Sequence, residues 1–402
     1  MTSLLIVLFV IGCVVAAELS SRSWIRRGRA YYVFPPGLRL RLHLDREALP
    51  DLEPVVRFDI NDEGERGKNV PRLKPGGKLY RILVAGGSQP EGYFLDQDTT
   101  WPGALQGLLD TPQHLERLGA SAVHVGSIAR SGVDADALAL ILDRVLPRYT
   151  PLDAIVILVG ASDMLRWLEL GAPPAAPPPR QTGEIFRWHP EGPFSWRPSQ
   201  LAAAELLRRA RRRWLCPEQV HTAAGQWLAR ARAMRAQAAA VRTVVPDAAV
   251  MLKHFEIRLA AAIERARAHA DRVLVVRQPW FAKDAYTREE AAHLWHGGIG
   301  QAWCETVHAY YSFDVTCRLM AQLDRVAARV AGELGVEQID LMPLLDRSLN
   351  TYYDFFHLTP SGARRVADVI ASAILRQPLP AAGAAGAECD AETRQPSAAR
   401  AS

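Results

Sequence analysis

Lysine is nearly missing from this chain. Five of its 48 cationic side chains are Lys (68, 74, 78, 253 and 283) and 43 are Arg. Arg and Ala at these levels read as the background of a high-GC genome, not as function. Net charge is scarce, +5 over 402 residues. Cysteine is sparse, scattered and odd in number (13, 216, 304, 317 and 389), and no CxxC occurs. That argues against a disulfide framework and a structural zinc site. Disorder would need fewer apolar residues than the 49% present, so the composition is that of a globular protein. The length allows two or three domains, or one domain with a large insertion.

Residues 2–17 carry no charge, a run short of the roughly 20 residues that cross a hydrocarbon core. Three readings fit. Val15 and Ala17 give a small-residue cleavage pattern before Glu18, as in a signal peptide. The run also suits an uncleaved anchor, and small residues before Cys13 suit a lipoprotein signal. A buried first helix is the plain alternative. No basic segment precedes the run; the cations follow it, at 22–29. We expect a signal or anchor segment at 1–22 and a membrane-associated protein. Its catalytic domain is expected outside the cytoplasm, with the orientation open, because the charges at 22–29 pull the other way by the positive-inside rule.

Residues 23–78 are Arg-, Pro- and Gly-rich with little periodicity and read as an extended lead-in. Beyond them, five short apolar runs read as buried strands, at 80–85, 121–126, 152–160, 271–279 and 336–342. Helical patterns, at 101–109 and 133–146 among others, separate most of them. This alternation predicts an α/β fold, a three-layer α/β/α sandwich with a parallel, flavodoxin-like sheet of about five strands. The gap between the third and fourth runs is too long for one crossover. It holds a Pro-rich spacer (171–180) and Arg-rich helical patterns at 201–215 and 223–245. We read 165–268 as an internal helical insertion or cap within a domain at 79–376. The low-complexity tail at 377–402 is expected to be disordered.

Ser88 lies in AGGSQPEG, directly after the first of these strands. Gly86, Gly87 and Gly92 let the backbone turn sharply. A serine there projects from the carboxyl end of a strand, where open α/β sheets bind ligands. The same run could cradle a phosphate, but it lacks the Lys-Ser/Thr of a P-loop and the spacing of GxGxxG; it could also be only a turn. Near the far end, Asp354 and His357 stand three apart before a helix. Thr359 suits its N-cap and Pro360 its first position. Ala363, Val366, Ala367, Ile370 and Ile374 form a core-facing stripe. A serine hydroxyl needs a base to become a nucleophile. Imidazole supplies one near neutral pH, and a carboxylate orients the imidazole and stabilises its cation. The alternative is a capping loop with an incidental His.

Together these pieces resemble the SGNH (GDSL-type) hydrolase superfamily, in its membrane-anchored bacterial form. The first block is matched by Ser88 in VAGGSQPEG, with GGS in place of GDS. The second is matched by Gly132 in GSIARSG, the third by Gly160-Ala161-Ser162-Asp163, and the last by Asp354 and His357 in DFFHLTPSG. The lead-in matches too, through RFDINDEGERG (57–67). The resemblance covers 57–164 and 271–376. It implies acyl transfer: His357 deprotonates Ser88, Asp354 orients His357, and the amides of Ser88 and Gly132 stabilise an oxyanion. No metal or other cofactor is required. The family's third oxyanion donor is an Asn, and this chain has Ser162 there. Loss of one such donor costs about 10²–10³ in rate.

Other residues carry weaker signals. Arg130 could bind an anionic substrate group or form a salt bridge. Asp163 could take part in substrate binding, but reads more readily as a partner within its own loop. His293, His296 and His308 lack a completed metal signature and read as surface or structural. RRARRRW (208–214) could bind nucleic acid or an anionic lipid surface, but fits the solvated face of a helix better, and we expect no nucleic-acid partner. Trp167, Trp188, Trp196 and Trp214 suit a carbohydrate platform or a packing seam. The leading expectation is a serine esterase or O-deacetylase acting on an ester, such as an acylated cell-envelope or exopolysaccharide glycan. An O-acyltransferase with the same triad, or a non-catalytic glycan-binding or scaffold protein, remains open.

Overall fold

The computed structural model describes residues 2–27, 31–187, 189, 198–215 and 218–376. The tail expected at 377–402, Trp188 and Trp196 lie outside the described residues.

α1 (Thr2–Arg27) is one continuous helix that runs past the boundary expected at residue 22. Its stretch Thr2–Ile25 is long and apolar enough to cross a membrane, at about 36 Å against a hydrocarbon core of about 30 Å. β1 (Arg39–Leu44) and β2 (Val55–Asp59) follow and pair antiparallel. β3 (Leu79–Gly86) leads through a single turn, α2 (Ser88–Glu91), to α3 (Trp101–Leu109), α4 (Pro112–Leu118), β4 (Ala122–Ser127), α5 (Ala135–Val145), β5 (Leu152–Leu158) and α6 (Ala161–Glu169). The insertion contributes α7 (Thr182–Ile185), α8 (Ala202–Leu215), β6 (Gln219–Ala224), α9 (Gln226–Ala236) and β7 (Ala240–Arg242). Then come α10 (Ala249–Arg267), β8 (Ala270–Arg277), α11 (Arg288–His293), β9 (Ala309–Tyr311), α12 (Phe313–Glu333), β10 (Glu337–Asp340) and α13 (Pro360–Ile374). Thr100, Asp134, Ser312 and Thr359 start α3, α5, α12 and α13 by accepting a main-chain amide of the first turn.

The five strands read from the sequence form one parallel sheet, in the order β10-β8-β5-β3-β4. Helices α5, α10 and α12 pack together on one side, while α3 and α13 pair on the other. This is a three-layer α/β/α sandwich. β5 is buried from Ala154 to Leu158 because both of its faces are covered. The chain leaves β3 for β4 on one side and passes to β5 on the other. The strand order therefore reverses beside β3, and the carboxyl ends of β3 and β5 are where open α/β sheets bind ligands.

The lead-in is more ordered in pattern than the sequence reading allowed. Leu40, Leu42 and Leu44 of β1 are buried in alternation with Arg39, Arg41 and His43, the period of a half-buried strand. β6 of the insertion pairs parallel with β1, so lead-in and insertion share one three-stranded sheet. The insertion is thus not helical throughout. Of the helical pattern at 223–245, only α9 is helix. The β-branched run that follows pairs as β7 with β9, since an available strand edge outweighs weak helix propensity. In α8, Arg208, Arg209 and Arg212 turn to Glu205, which neutralises part of the basic cluster within the helix itself.

Residues 61–66 of the lead-in close the edge of the main sheet. Arg66 and Ser127 exchange main-chain hydrogen bonds across the free side of β4. Beside them Glu65, fully buried, meets His124 at 2.8 Å, Arg81 at 3.1 Å and Asn61 at 3.0 Å. Burial pushes its carboxyl pKa up. The hydrogen bond and charge of His124, with help from Arg81 and Asn61, outweigh that and hold it at about 2. Gly126 has to be glycine here, because a Cβ would lie 2.3 Å from Glu65 Oε2. Glu65→Ala leaves Arg81 without its anion and the buried His124 and Asn61 without their acceptor, and is expected to cost about 3–5 kcal/mol, read by chemical denaturation. The stabilisation from Glu65 is present above its ordinary pKa of 4.5 and is lost as pH falls toward 2.

Candidate active site

Ser88 is the first residue of α2, at the end of β3. The approach to it is tightly constrained. Gly87 donates its amide to the carbonyl of Leu158 on β5 at 3.1 Å. A Cβ on Gly86 would lie 2.0 Å from that same oxygen, so only glycine lets the two strands run this close. Gly92 closes the single turn of α2 in the left-handed conformation (φ 58°).

The loop carrying Asp354 and His357 comes from the far end of the chain. The Tyr353 amide donates to the His357 carbonyl at 3.0 Å. Thr359 caps α13 through Gly362 N at 3.1 Å. Asp354 is wholly buried and accepts four donors. These are the amides of Phe356 (2.9 Å) and His357 (2.8 Å), His357 Nδ1 (2.8 Å) and Trp295 Nε1 (3.1 Å). The other imidazole nitrogen, Nε2, lies 2.8 Å from Ser88 Oγ. Ser88, His357 and Asp354 thus form one hydrogen-bonded chain across a sequence separation of 269. With Asp354 as acceptor, Nδ1 carries the proton and Nε2 is left to take the hydroxyl proton of Ser88.

The electrostatics suit that role. Burial acts to lower the His357 pKa, but the charge and hydrogen bond of Asp354, with a contribution from Glu91, raise it above the ordinary value. Burial acts to raise Asp354, and the His357 charge and the donors around it hold its carboxyl well below the usual range.

The other expected residues divide. Gly132 lies in a tight turn at φ 77°, a left-handed conformation that calls for glycine. Ser162 is the second residue of α6, after Gly160. Both loops meet at Gly87: a Cβ there would lie 3.3 Å from the Val133 carbonyl and 3.5 Å from Ser162 Oγ. The structure therefore links Ser88, His357 and Asp354 in one chain and brings the Gly132 turn and Ser162 beside Gly87, the residue before Ser88. Arg130 and Asp163 are engaged elsewhere. The Arg130 guanidinium donates to the Ile185 carbonyl at 2.9 Å. Both Asp163 oxygens accept the Ala135 amide at the start of α5, at 3.0 and 3.1 Å. Burial and the neighbouring Asp134 charge push the Asp163 carboxyl well above its ordinary pKa. Substrate contact by Asp163 is corrected to a capping role. Trp167 is a core residue bonded to the Pro173 carbonyl, and Trp214 is exposed, so these two share no platform.

Sequence reasoning passed over three contributors. From sequence His296 reads only as surface or structural, and nothing singles out Trp295. Trp295 holds Asp354, and the buried His296 ring lies 5.8 Å from that of His357. Burial, chiefly, pushes the His296 pKa down to about 3. The third is Glu91, buried below the Gly132 turn. Donor atoms of His296, Asp354 and His357 lie within 4.8 Å of one another. The Asp354 oxygens and both His357 nitrogens are already used in the chain above, which leaves His296 as the uncommitted donor.

No protein-family profile matches this chain, and no curated protein matches it. Among solved structures, it is similar to a member of the lipolytic protein G-D-S-L family from Veillonella parvula DSM 2008 (10% identity, 74% of this chain, 97% of the other, TM-score 0.38). It is also similar to a variant acetyl xylan esterase from Geobacillus stearothermophilus (13% identity, 73% and 94%, TM-score 0.40). A third is the inhibitor-bound form of an aryl esterase from M. smegmatis (15% identity, 73% and 97%, TM-score 0.36).

A raised His357 pKa has a kinetic signature. The imidazole must be neutral to accept the Ser88 proton, so kcat/KM on an activated ester should climb with pH. Its midpoint should lie above the ordinary imidazole value of 6.5. A midpoint below that value would contradict the assignment.

Proposed function

We propose that this chain is a membrane-tethered, SGNH-type serine esterase that works through an acyl-enzyme. The observation that carries the reading is the hydrogen-bonded chain from Asp354 through His357 to Ser88 at the strand-order reversal. His357 takes the Ser88 proton as Ser88 attacks an ester carbonyl. The amides of Ser88 and Gly132, with the Ser162 hydroxyl, receive the developing oxyanion. His357 then protonates the leaving alcohol, and water resolves the acyl-enzyme. The substrate class that suits a tethered esterase is an acylated envelope or exopolysaccharide glycan. With a sugar hydroxyl in place of water, the same groups perform O-acyl transfer.

The full chain in detergent should react with a fluorophosphonate probe, while Ser88→Ala and His357→Ala should not. A folded parent that stays unlabelled would sink the esterase reading and favour a glycan-binding protein. For a labelled parent, release of free acid against acyl transfer to an added oligosaccharide separates hydrolase from transferase.

α1 is read as a retained anchor, since its second half is built into the folded domain. Glu18 accepts the amides of Ala202 and Ala203 at the start of α8, at 2.9 and 3.0 Å. It also pairs with Arg22 at 2.7 Å, and Ile25 is buried. The intact mass of protein extracted from membranes should therefore include residues 2–17. A mature species beginning at Glu18 would overturn this.

A further inference from the structure

We propose that Glu91 is a positioning residue that locks the Gly132 turn to the helical turn carrying Ser88, and so sets the oxyanion site against the nucleophile. This rests on the esterase reading of Ser88 and adds a residue to it. Glu91 ends the same single turn that Ser88 begins. Its carboxylate is buried, yet it accepts the Ser131 amide at 2.8 Å and the Ser131 hydroxyl as well. Ser131 immediately precedes Gly132, whose amide is the second oxyanion donor. One side chain thus joins the loop after β4 to the turn after β3.

Nothing in the fold of either turn requires a carboxylate there. Ser131 is exposed, and water could serve its amide. Burying a charge is costly unless donors and opposite charges surround it. Burial raises the Glu91 carboxyl above its ordinary pKa, and the Ser131 hydrogen bonds and the charges of Arg66 and Arg130 work against that. Arg66 also donates to the main-chain carbonyls of Glu91, Gly92 and Leu95, which fixes the end of α2 from the other side. A buried anion held at this cost, directly beneath a catalytic turn, has one evident use: it fixes the distance between Ser88 and the Gly132 amide. A misplacement of about 1 Å in such a site can cost about 10² in rate.

The same charge reaches His357. The titratable groups facing His357 are Asp354, Glu91, Tyr353 and His296. Those facing Glu91 itself include Arg66, Arg130, Tyr93 and Tyr353. Removing the Glu91 charge takes away one of the influences that raise the His357 pKa. The acid limb of kcat/KM therefore moves to lower pH, which loss of a merely structural contact would not do.

The test uses the full chain in detergent with Glu91→Ala, Glu91→Gln and Ser131→Ala. Turnover of p-nitrophenyl acetate is measured across pH, and hydrogen exchange is measured for the 127–133 segment. Glu91→Ala should lower kcat about 10²-fold with little change in KM, and exchange at 127–133 should rise while β5 stays protected. Glu91→Gln keeps an acceptor for the Ser131 amide. It should retain most of kcat and the exchange protection, but shift the acid limb downward. Parent-like exchange at 127–133 in Glu91→Ala, or an acid limb unmoved in both Glu91 variants, overturns the proposal. If the parent itself lacks turnover, the esterase reading fails while exchange still decides whether Glu91 holds the turn. If Glu91→Ala does not fold, Ser131→Ala decides. A smaller loss of kcat with faster exchange supports the link, and parent-like values in both overturn it.

Discussion

The buried carboxylate of Asp354 is the interaction on which the site depends. An ionised group out of contact with water is tolerated only when donors surround it. Two of its donors are amides of its own loop, so the turn from Asp354 to His357 folds around the charge. The third, His357 Nδ1, fixes the imidazole. The fourth, Trp295 Nε1, comes from a separate segment 59 residues earlier. Charge, loop shape and ring orientation are therefore one solution to one electrostatic problem. A neutral side chain at 354 would relax the loop and the tautomer together.

A second constraint brings Ser88 to meet that loop. β3 and β5 approach so closely at Gly86 that no side chain fits between Gly86 and the Leu158 carbonyl. The close approach places the turns after both strands side by side, and a Cβ on Gly87 would meet the Val133 carbonyl and Ser162 Oγ. The strand-order reversal supplies the location, and the glycines bring the turns together. In the proposed acyl-enzyme chemistry, Ser162 in place of a longer amide would make the third oxyanion donor the weakest, and would put more of the work on the Gly132 amide and on whatever holds its turn.

Legibility from sequence followed the range of the interactions. The five core strands were readable because burial on both faces makes them nearly all apolar, as in 152–158. Asp354, His357 and the Thr359 cap were readable because their contacts span three residues each. Glu91 and Ser131 stand 40 apart, and Trp295 and Asp354 stand 59 apart. Neither pair leaves a local pattern. β1 is a different case. Its alternation, RLRLHL, was present in the sequence, but short antiparallel strands embedded among Arg and Pro give a weak signal until a partner is known. The basic run in α8 was readable as a helix face, but its pairing was not, because the charges look free in sequence and several are spent on Glu205.

The accessory parts connect α1 to the Ser88 site. α1 holds the start of α8 through Glu18. The strand after α8, β6, pairs with β1 of the lead-in. α9 then presents Arg232, whose guanidinium donates to the Ala48 carbonyl of the lead-in and to the Tyr353 carbonyl beside Asp354. A continuous path of hydrogen bonds and strand pairing thus runs from the end of the apolar helix to the catalytic loop. With this path intact, the catalytic loop is held at a fixed angle to α1, and the insertion acts as the bracket that sets it.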